Sequence, residues 1–219
     1  MKKRMDIVLA GSGGCMREIV WQIQEQNKIQ TTWKVTGYVD CKEPDNGLGI
    51  KVGGQVITYL GDDDFLLQQK EQVNVVICTG VPALREKIAK KLMQNPNIRF
   101  PNLILGNTRI CEDVKMGIGC IISMDARIST NVSIGNFVFM NTGSMVCHDG
   151  CVEDFVTLSP DVKLAGNVKI GECSELGIGT KVIQGINIGK NVVAGAGSVI
   201  VKDIEEGHTI AGVPASKIK

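Results

Sequence analysis

The chain has 219 residues, enough for one large domain or two modest ones. Its 24 basic and 23 acidic residues leave a formal net charge of +1, which offers no electrostatic case for a nucleic-acid partner or an anionic membrane. Aromatics make up only 4% while glycines number 26, a composition suited to a narrow, regular core rather than a bulky one.

The eight cysteines are scattered rather than set in a short framework. No stretch approaches the roughly 18 apolar residues of a membrane span. Met1–Arg4 are basic, but the apolar run behind them ends at Ala10, too short for a signal peptide. The expectation is a soluble cytoplasmic protein with reduced thiols.

Met5 to Ala10 reads as a buried strand, followed by Gly11-Ser12-Gly13-Gly14. Met16, Ile19, Val20 and Ile23 then recur at the spacing of an amphipathic helix. Strand, glycine loop and helix together open a doubly wound, Rossmann-like α/β domain. Lys34 to Val39 reads as a second strand ending in Asp40. Val73 to Cys78 reads as another, and Pro82 suits the first position of the helix that follows. The dinucleotide fingerprint is incomplete, because Met16 stands where its third glycine belongs. Two readings of the glycines stay open: a phosphate cradle at a helix N-terminus, or only a tight turn. Asp40 is likewise either a ribose or base acceptor or a surface turn residue. Pro101 marks a break between Phe100 and Gly106, so the expected domains are 1–103 and 104–219.

From Ile110 onward a period of six takes over. Stepping by six reaches Met116, Ile122, Ile128, Ile134, Met140, Val146, Val152, Leu158, Leu164, Ile170, Leu176, Val182, Ile188, Ala194 and Ile200, all apolar. Two residues before each anchor stands, in most cases, a small or β-branched residue. This fits neither a helix nor an alternating strand. It fits a triangular parallel β-helix with one short strand per side, three hexads to a coil of 18 residues and a height of about 24 Å. Gly135-Asn136, Gly166-Asn167 and Gly189-Lys190-Asn191 are expected at corners with positive φ.

Only two histidines are present, too few for the three-histidine zinc site of the β-helical carbonic anhydrases. His148 lies two residues past the anchor Val146, at a corner exposed enough to meet a substrate, and imidazole is the commonest general base. Asp149 next door has the chemistry to orient it, although adjacent residues seldom face the same way. One coil later comes Gly166, where the missing side chain leaves room for a thioester and the N–H can serve an oxyanion. A surface histidine beside a turn is the competing reading. Cys147 and Cys151 flank His148 but fall on different parts of the coil, so no metal is expected. His208 is expected in a solvated tail.

Taken together, Gly11-Ser-Gly-Gly14 with Arg17-Glu18, Gly37-Tyr-Val-Asp40, Asn141 to Asp149, Ala165 to Gly171 and the tail Gly212 to Lys217 resemble the bacterial sugar acetyltransferases of the bacillosamine-pathway and sialic-acid O-acetyltransferase type. The resemblance implies a left-handed β-helix, a homotrimer with active sites between neighbouring prisms, and acetyl-CoA as co-substrate. It implies an N-terminal domain that binds a nucleotide-linked amino sugar through Gly13, Gly14 and Asp40. By the same match His148 is the catalytic base and Asp149 its acidic neighbour. Asn141 is an active-site asparagine that contacts the acceptor, and Gly166, Ile178 and Ala196 line the coenzyme groove.

Two positions depart from the pattern: Thr157 where some members carry a coenzyme-contacting histidine, and Cys15 where some carry a histidine after the paired glycines. The expected reaction is direct N-acetylation in a ternary complex. O-acetylation of a sugar or sialic acid, and a non-catalytic nucleotide-sugar scaffold, are the alternatives.

Overall fold

The computed structural model describes residues 5–45 and 47–218; the basic Met1–Arg4 stretch lies outside them. The chain divides into two compact units. One runs to Thr79 and resumes at Leu84–Pro101; the other comprises Gly80–Ala83 and everything from Asn102 onward.

The first unit carries β1 (Met5–Ala10), α1 (Gly14–Ile29), β2 (Trp33–Val39), β3 (Gly49–Val52), β4 (Gln55–Gly61), α2 (Asp63–Leu67), β5 (Val73–Ile77), most of α3 (Pro82–Leu92) and β6 (Ile98–Arg99). Its six strands form one sheet in the order β3-β4-β2-β1-β5-β6. All neighbours run parallel except β3 and β4. Residues Ile7 to Ala10 are buried, and α1 turns Met16, Ile19, Val20 and Ile23 inward, as the apolar spacing requires.

The β3–β4 hairpin was not anticipated, although its signal is present. Gly53 and Gly54 both have positive φ, 54° and 85°, as a two-residue type I′ turn demands. Asp62 caps α2 by accepting the Asp64 N–H at 2.9 Å. Gly37 has a packing reason: a Cβ there would lie 2.8 Å from the Thr58 carbonyl of the neighbouring strand.

The second unit is a left-handed parallel β-helix. Two-residue strands recur every six residues, from Arg109–Ile110 to Val199–Ile200, and each ends on a predicted anchor. Strands pair with those 18 residues away, as Phe139 with Thr157 and Met145 with Lys163, forming sheets of eight, six and five strands. The anchors from Ile122 to Ile200 and the residues two before them fill the interior.

The solenoid extends beyond the predicted repeat, from Leu103 to Lys217. Its last coil is shorter: Val193 pairs with Thr209 and Ile188 with Ile204, 16 residues on. That two-residue slip is why the six-step pattern stops at Ile200.

The corners need correcting. Positive φ falls three residues after each anchor from Met116 to Ala194: at Gly119, Asp125, Asn131, Phe137, Gly143, Asp149 and onward to Gly197. Asn167 and Asn191 fit, but Gly135, Asn136, Gly166, Gly189 and Lys190 are not left-handed. Gly135 and Gly189 are needed for close stacking instead. A Cβ on Gly135 would stand 2.7 Å from the Asp154 N, and one on Gly189 2.6 Å from the Glu206 N.

Candidate active site

Residues 18 apart stack on one corner of the solenoid. One corner column holds Asn131, Asp149, Asn167 and Gly185 in the left-handed conformation. At each coil the corner is sealed by a backbone bond: Asp149 N–H to Thr130 O (3.2 Å), Asn167 N–H to His148 O (2.8 Å) and Gly185 N–H to Gly166 O (3.0 Å). The left-handed turn at Asp149 swings its side chain back beside its neighbour, and Asp149 Oδ2 lies 2.8 Å from His148 Nδ1. A carboxylate only accepts, so Nδ1 carries the proton and Nε2 keeps a free lone pair. Hydrogen bonds from His148 first, then from Asn131, hold the Asp149 carboxyl below the ordinary carboxylate range. Both side chains are about half exposed, at 52% and 50%.

Gly166 lies one coil beyond His148. A Cβ there would overlap imidazole atoms Cε1 and Nε2 and stand 3.0 Å from Nδ1. The missing side chain therefore makes room first for the imidazole itself. Among the described residues no acceptor meets the Gly166 N–H. His148, Asp149 and Gly166 thus share one corner.

Asn141, Ile178 and Ala196 lie elsewhere, on the preceding corner. Asn141 Oδ1 accepts the Thr142 N–H at 2.7 Å, and Thr142, Ile178 and Ala196 follow at multiples of 18. Ile178 is 55% exposed. The side between the two corners carries outward Arg109, Arg127, Lys163 and Lys181. Arg109 pairs directly with Arg127, and Lys163 with Lys181. Asp161 Oδ1 meets Lys163 Nζ at 2.8 Å, and the Gly143 carbonyl also accepts from it. This cationic stripe was missed in the sequence. Its signal is a basic residue just before the anchor, recurring at multiples of 18 and interrupted at Met145.

Thr157 is buried and donates its hydroxyl to the Gly80 carbonyl at 2.6 Å, a structural tie. Cys147 and Cys151 sit on successive sides of the coil. His208 is not in a loose tail: it stands in the last coil, 2.9 Å from Lys217 Nζ and 3.6 Å from Glu205 Oε2.

In the first unit Gly11 has φ 116°, and a Cβ there would lie 3.0 Å from the Cys78 carbonyl, so Gly11 makes the turn. Gly13 and Gly14 are free of that duty. A Cβ on Gly13 would meet nothing within 4 Å, and one on Gly14 only Arg17 at 3.8 Å. They open α1, whose first turn has neither a side-chain cap nor an acidic residue. Burial would raise the Asp40 carboxyl. Hydrogen bonds from Ser12, the Lys42 N–H and Cys41 outweigh it and hold the carboxyl below the ordinary range. The bond to Ser12 ties Asp40 to the glycine loop. Burial pushes the Cys15 thiol up to about 12, with Arg85 opposing.

No family model matches the chain. GDP-perosamine N-acetyltransferase of Escherichia coli O157:H7 is 31% identical over 160 residues, covering 68% of this chain and 69% of that protein. Among solved structures, the acetyltransferase domain of PglB from Neisseria gonorrhoeae in complex with acetyl coenzyme A superposes with a TM-score of 0.87 at 26% identity, covering 99% of this chain and 100% of that one. A histidine-to-alanine mutant of GDP-perosamine N-acetyltransferase from Caulobacter crescentus, in complex with CoA and GDP-perosamine, superposes with a TM-score of 0.86 at 28% identity. That match covers 98% of this chain and 97% of the other. Among the described residues no helix is long and apolar enough to cross a membrane.

Proposed function

The chain belongs to the hexapeptide-repeat sugar N-acetyltransferase family, and from that premise we propose that it transfers the acetyl group of acetyl-CoA to the amino group of a nucleotide-linked amino sugar. The observation that carries the proposal is the His148–Asp149 contact at 2.8 Å, with Nε2 left free above a residue without a side chain. His148 Nε2 takes a proton from the acceptor nitrogen as that nitrogen attacks the thioester carbonyl carbon. Asp149 holds the imidazole in the required tautomer and supports the imidazolium that forms. The Gly166 N–H faces the oxyanion of the tetrahedral intermediate. The C–S bond then breaks, and the coenzyme A thiolate takes the proton from His148. A thiol leaves readily at its ordinary pKa of about 8.5, so the acetyl group needs no covalent stop on the protein.

On this reading residues 1–103 form the Rossmann-like acceptor domain and 104–219 the acetyltransferase domain. The uncapped α1 N-terminus at Gly13 and Gly14 receives a phosphate of the acceptor, and Asp40, fixed at the same loop, takes its sugar or base. Ile178 and Ala196 line the coenzyme groove with the Arg109–Lys181 stripe supplying charge for its phosphates, and Asn141 contacts the acceptor. Within one chain Asn141, Ile178 and Ala196 occupy a different corner from His148. That separation supports a homotrimer in which one prism's base faces a neighbour's coenzyme groove.

The test is thiol release from acetyl-CoA with nucleotide-linked 4-amino sugars and free sialic acid, using wild type and His148→Ala. Amino-sugar-dependent release that falls at least ~10²-fold in the mutant is expected. Undiminished turnover in the mutant refutes the base, and release with sialic acid alone refutes N-acetylation.

A further inference from the structure

Three successive coils stack Asp113, Asn131 and Asp149 behind His148, each 18 residues from the next. Asn131 Nδ2 donates to Asp149 Oδ1 at 2.6 Å, while Asp149 Oδ2 meets His148 Nδ1 at 2.8 Å. Both oxygens of the carboxylate are therefore engaged, one by the histidine and one by the amide. Asn131 is itself held from behind. Its N–H donates to Asp113 Oδ2 at 3.0 Å, and the Thr130 hydroxyl donates to the same oxygen at 2.6 Å. Asp149 is half exposed, so packing does not fix its torsion and hydrogen bonds must.

Building on the proposed role of His148 as base, we propose that Asn131 is a positioning residue for the reaction: it locks the Asp149 carboxylate in the rotamer that orients His148. Asp113 and Thr130 fix Asn131 in turn. The corner conformation alone does not demand an amide, since Asp125, Asp161, Gly143 and Cys173 adopt it at other corners. An asparagine–aspartate pair one coil apart also occurs at Asn136 and Asp154, away from either histidine, so a purely structural ladder is the rival explanation.

The two are separated by reversing the polarity of the amide without disturbing the corner. Asn131→Gly suits positive φ and removes the donor. Asn131→Asp is isosteric and also suits the corner, as Asp125 and Asp161 show, but at neutral pH it sets a carboxylate against Asp149 Oδ1 and near Asp113. Among the described residues, His148 is the titratable group that faces the Asp149 carboxylate in wild type. A carboxyl introduced between two others titrates above its ordinary range. Once protonated it donates as the amide did.

The experiment measures kcat and KM for acetyl-CoA between pH 5.5 and 9 for wild type, both variants and His148→Ala, with thermal melts as a folding check. Asn131→Gly is expected to lower kcat about tenfold, with KM for acetyl-CoA unchanged. Asn131→Asp is expected to show a deficit relative to wild type that is largest at high pH and narrows as pH falls. Wild-type kcat in Asn131→Gly overturns the proposal, as does an equal, pH-independent deficit in both variants. Activity surviving in His148→Ala would instead break the base assignment. An inactive His148→Ala beside a fully active Asn131→Gly breaks only the positioning role.

Discussion

Gly166→Ala tests the geometry of the corner with one methyl group. A Cβ at this position overlaps His148 Cε1 and Nε2, whereas ordinary contact begins at 3.4 Å, so the imidazole must retreat by about 1 Å. The retreat strains the 2.8 Å contact with Asp149 Oδ2 and moves Nε2 off the path of the acceptor. A misplacement of about 1 Å costs up to ~10²-fold in turnover. Stability should barely change: the residue is not left-handed, and a half-exposed ring has solvent to swing into. The assay is steady-state thiol release at saturating acceptor, with a thermal melt of the same samples. The cycle is completed in the His148→Ala background, where the added methyl meets no ring. There Gly166→Ala should cost little further turnover, so the two effects should be far from additive. Wild-type kcat in Gly166→Ala, or a full second loss on top of His148→Ala, would refute the view that this glycine exists to seat the imidazole.

Gly171→Ala, away from the site, should destabilise the protein by about 1–3 kcal/mol in denaturant titration, because its Cβ would stand 2.6 Å from backbone atoms of Gly189 and Lys190 that cannot rotate away. Ser144→Ala should raise stability by about 1 kcal/mol: the hydroxyl is fully buried without a partner, and Ala126 already fills the same place one coil earlier. A loss of stability would mean that the hydroxyl is satisfied. Cys15, with its thiol near 12, should resist alkylation at pH 9 in the folded protein while the exposed Cys111 reacts; peptide mapping after iodoacetamide decides this. Asp161 is held below its ordinary value of 3.8 by the hydrogen bond and charge of Lys163. A depressed carboxyl stabilises the fold above the unfolded pKa, and that contribution is lost as pH falls through the folded one. Melting temperature should therefore fall below about pH 4 in wild type, and less steeply in Asp161→Asn.

How much was legible in advance follows from what each residue obeys. The solenoid was legible because each coil imposes the same two demands every six residues, an inward anchor and a small partner two before it. Those demands are written in side-chain type. The corners were misread because left-handed φ was assigned by composition, to glycine and asparagine. The coil instead fixes it by position, three residues after the anchor, and seats even Phe137 and Phe155 there, stacked with ring centroids 5.3 Å apart. The short last coil was invisible because a two-residue slip needs no unusual residue. In the first unit, Gly53-Gly54 signalled the hairpin, but β3 and β4 lack clean alternation around it.

The candidate site divides along the same line. His148, Asp149 and Gly166 were findable because two are adjacent and the third is one period away. The supports of the dyad required knowing which corner positions stack. Counting back 18 from Asp149 reaches Asn131, and 18 more reaches Asp113, so the period that revealed the fold also indexes the site. The left-handed turn decides what that index means. Neighbours along an extended strand point apart, and on that expectation Asp149 would face away from His148. At φ 59° the chain turns the corner from one side of the coil to the next, and the two side chains meet at 2.8 Å. A corner that merely closed a triangular coil would be served equally well by glycine, as Gly185 serves two coils later. At Asp149 the corner conformation is instead coupled to a histidine, an amide and a missing side chain. That coupling is the argument for proposing this corner, among those of the described solenoid, as the seat of the chemistry.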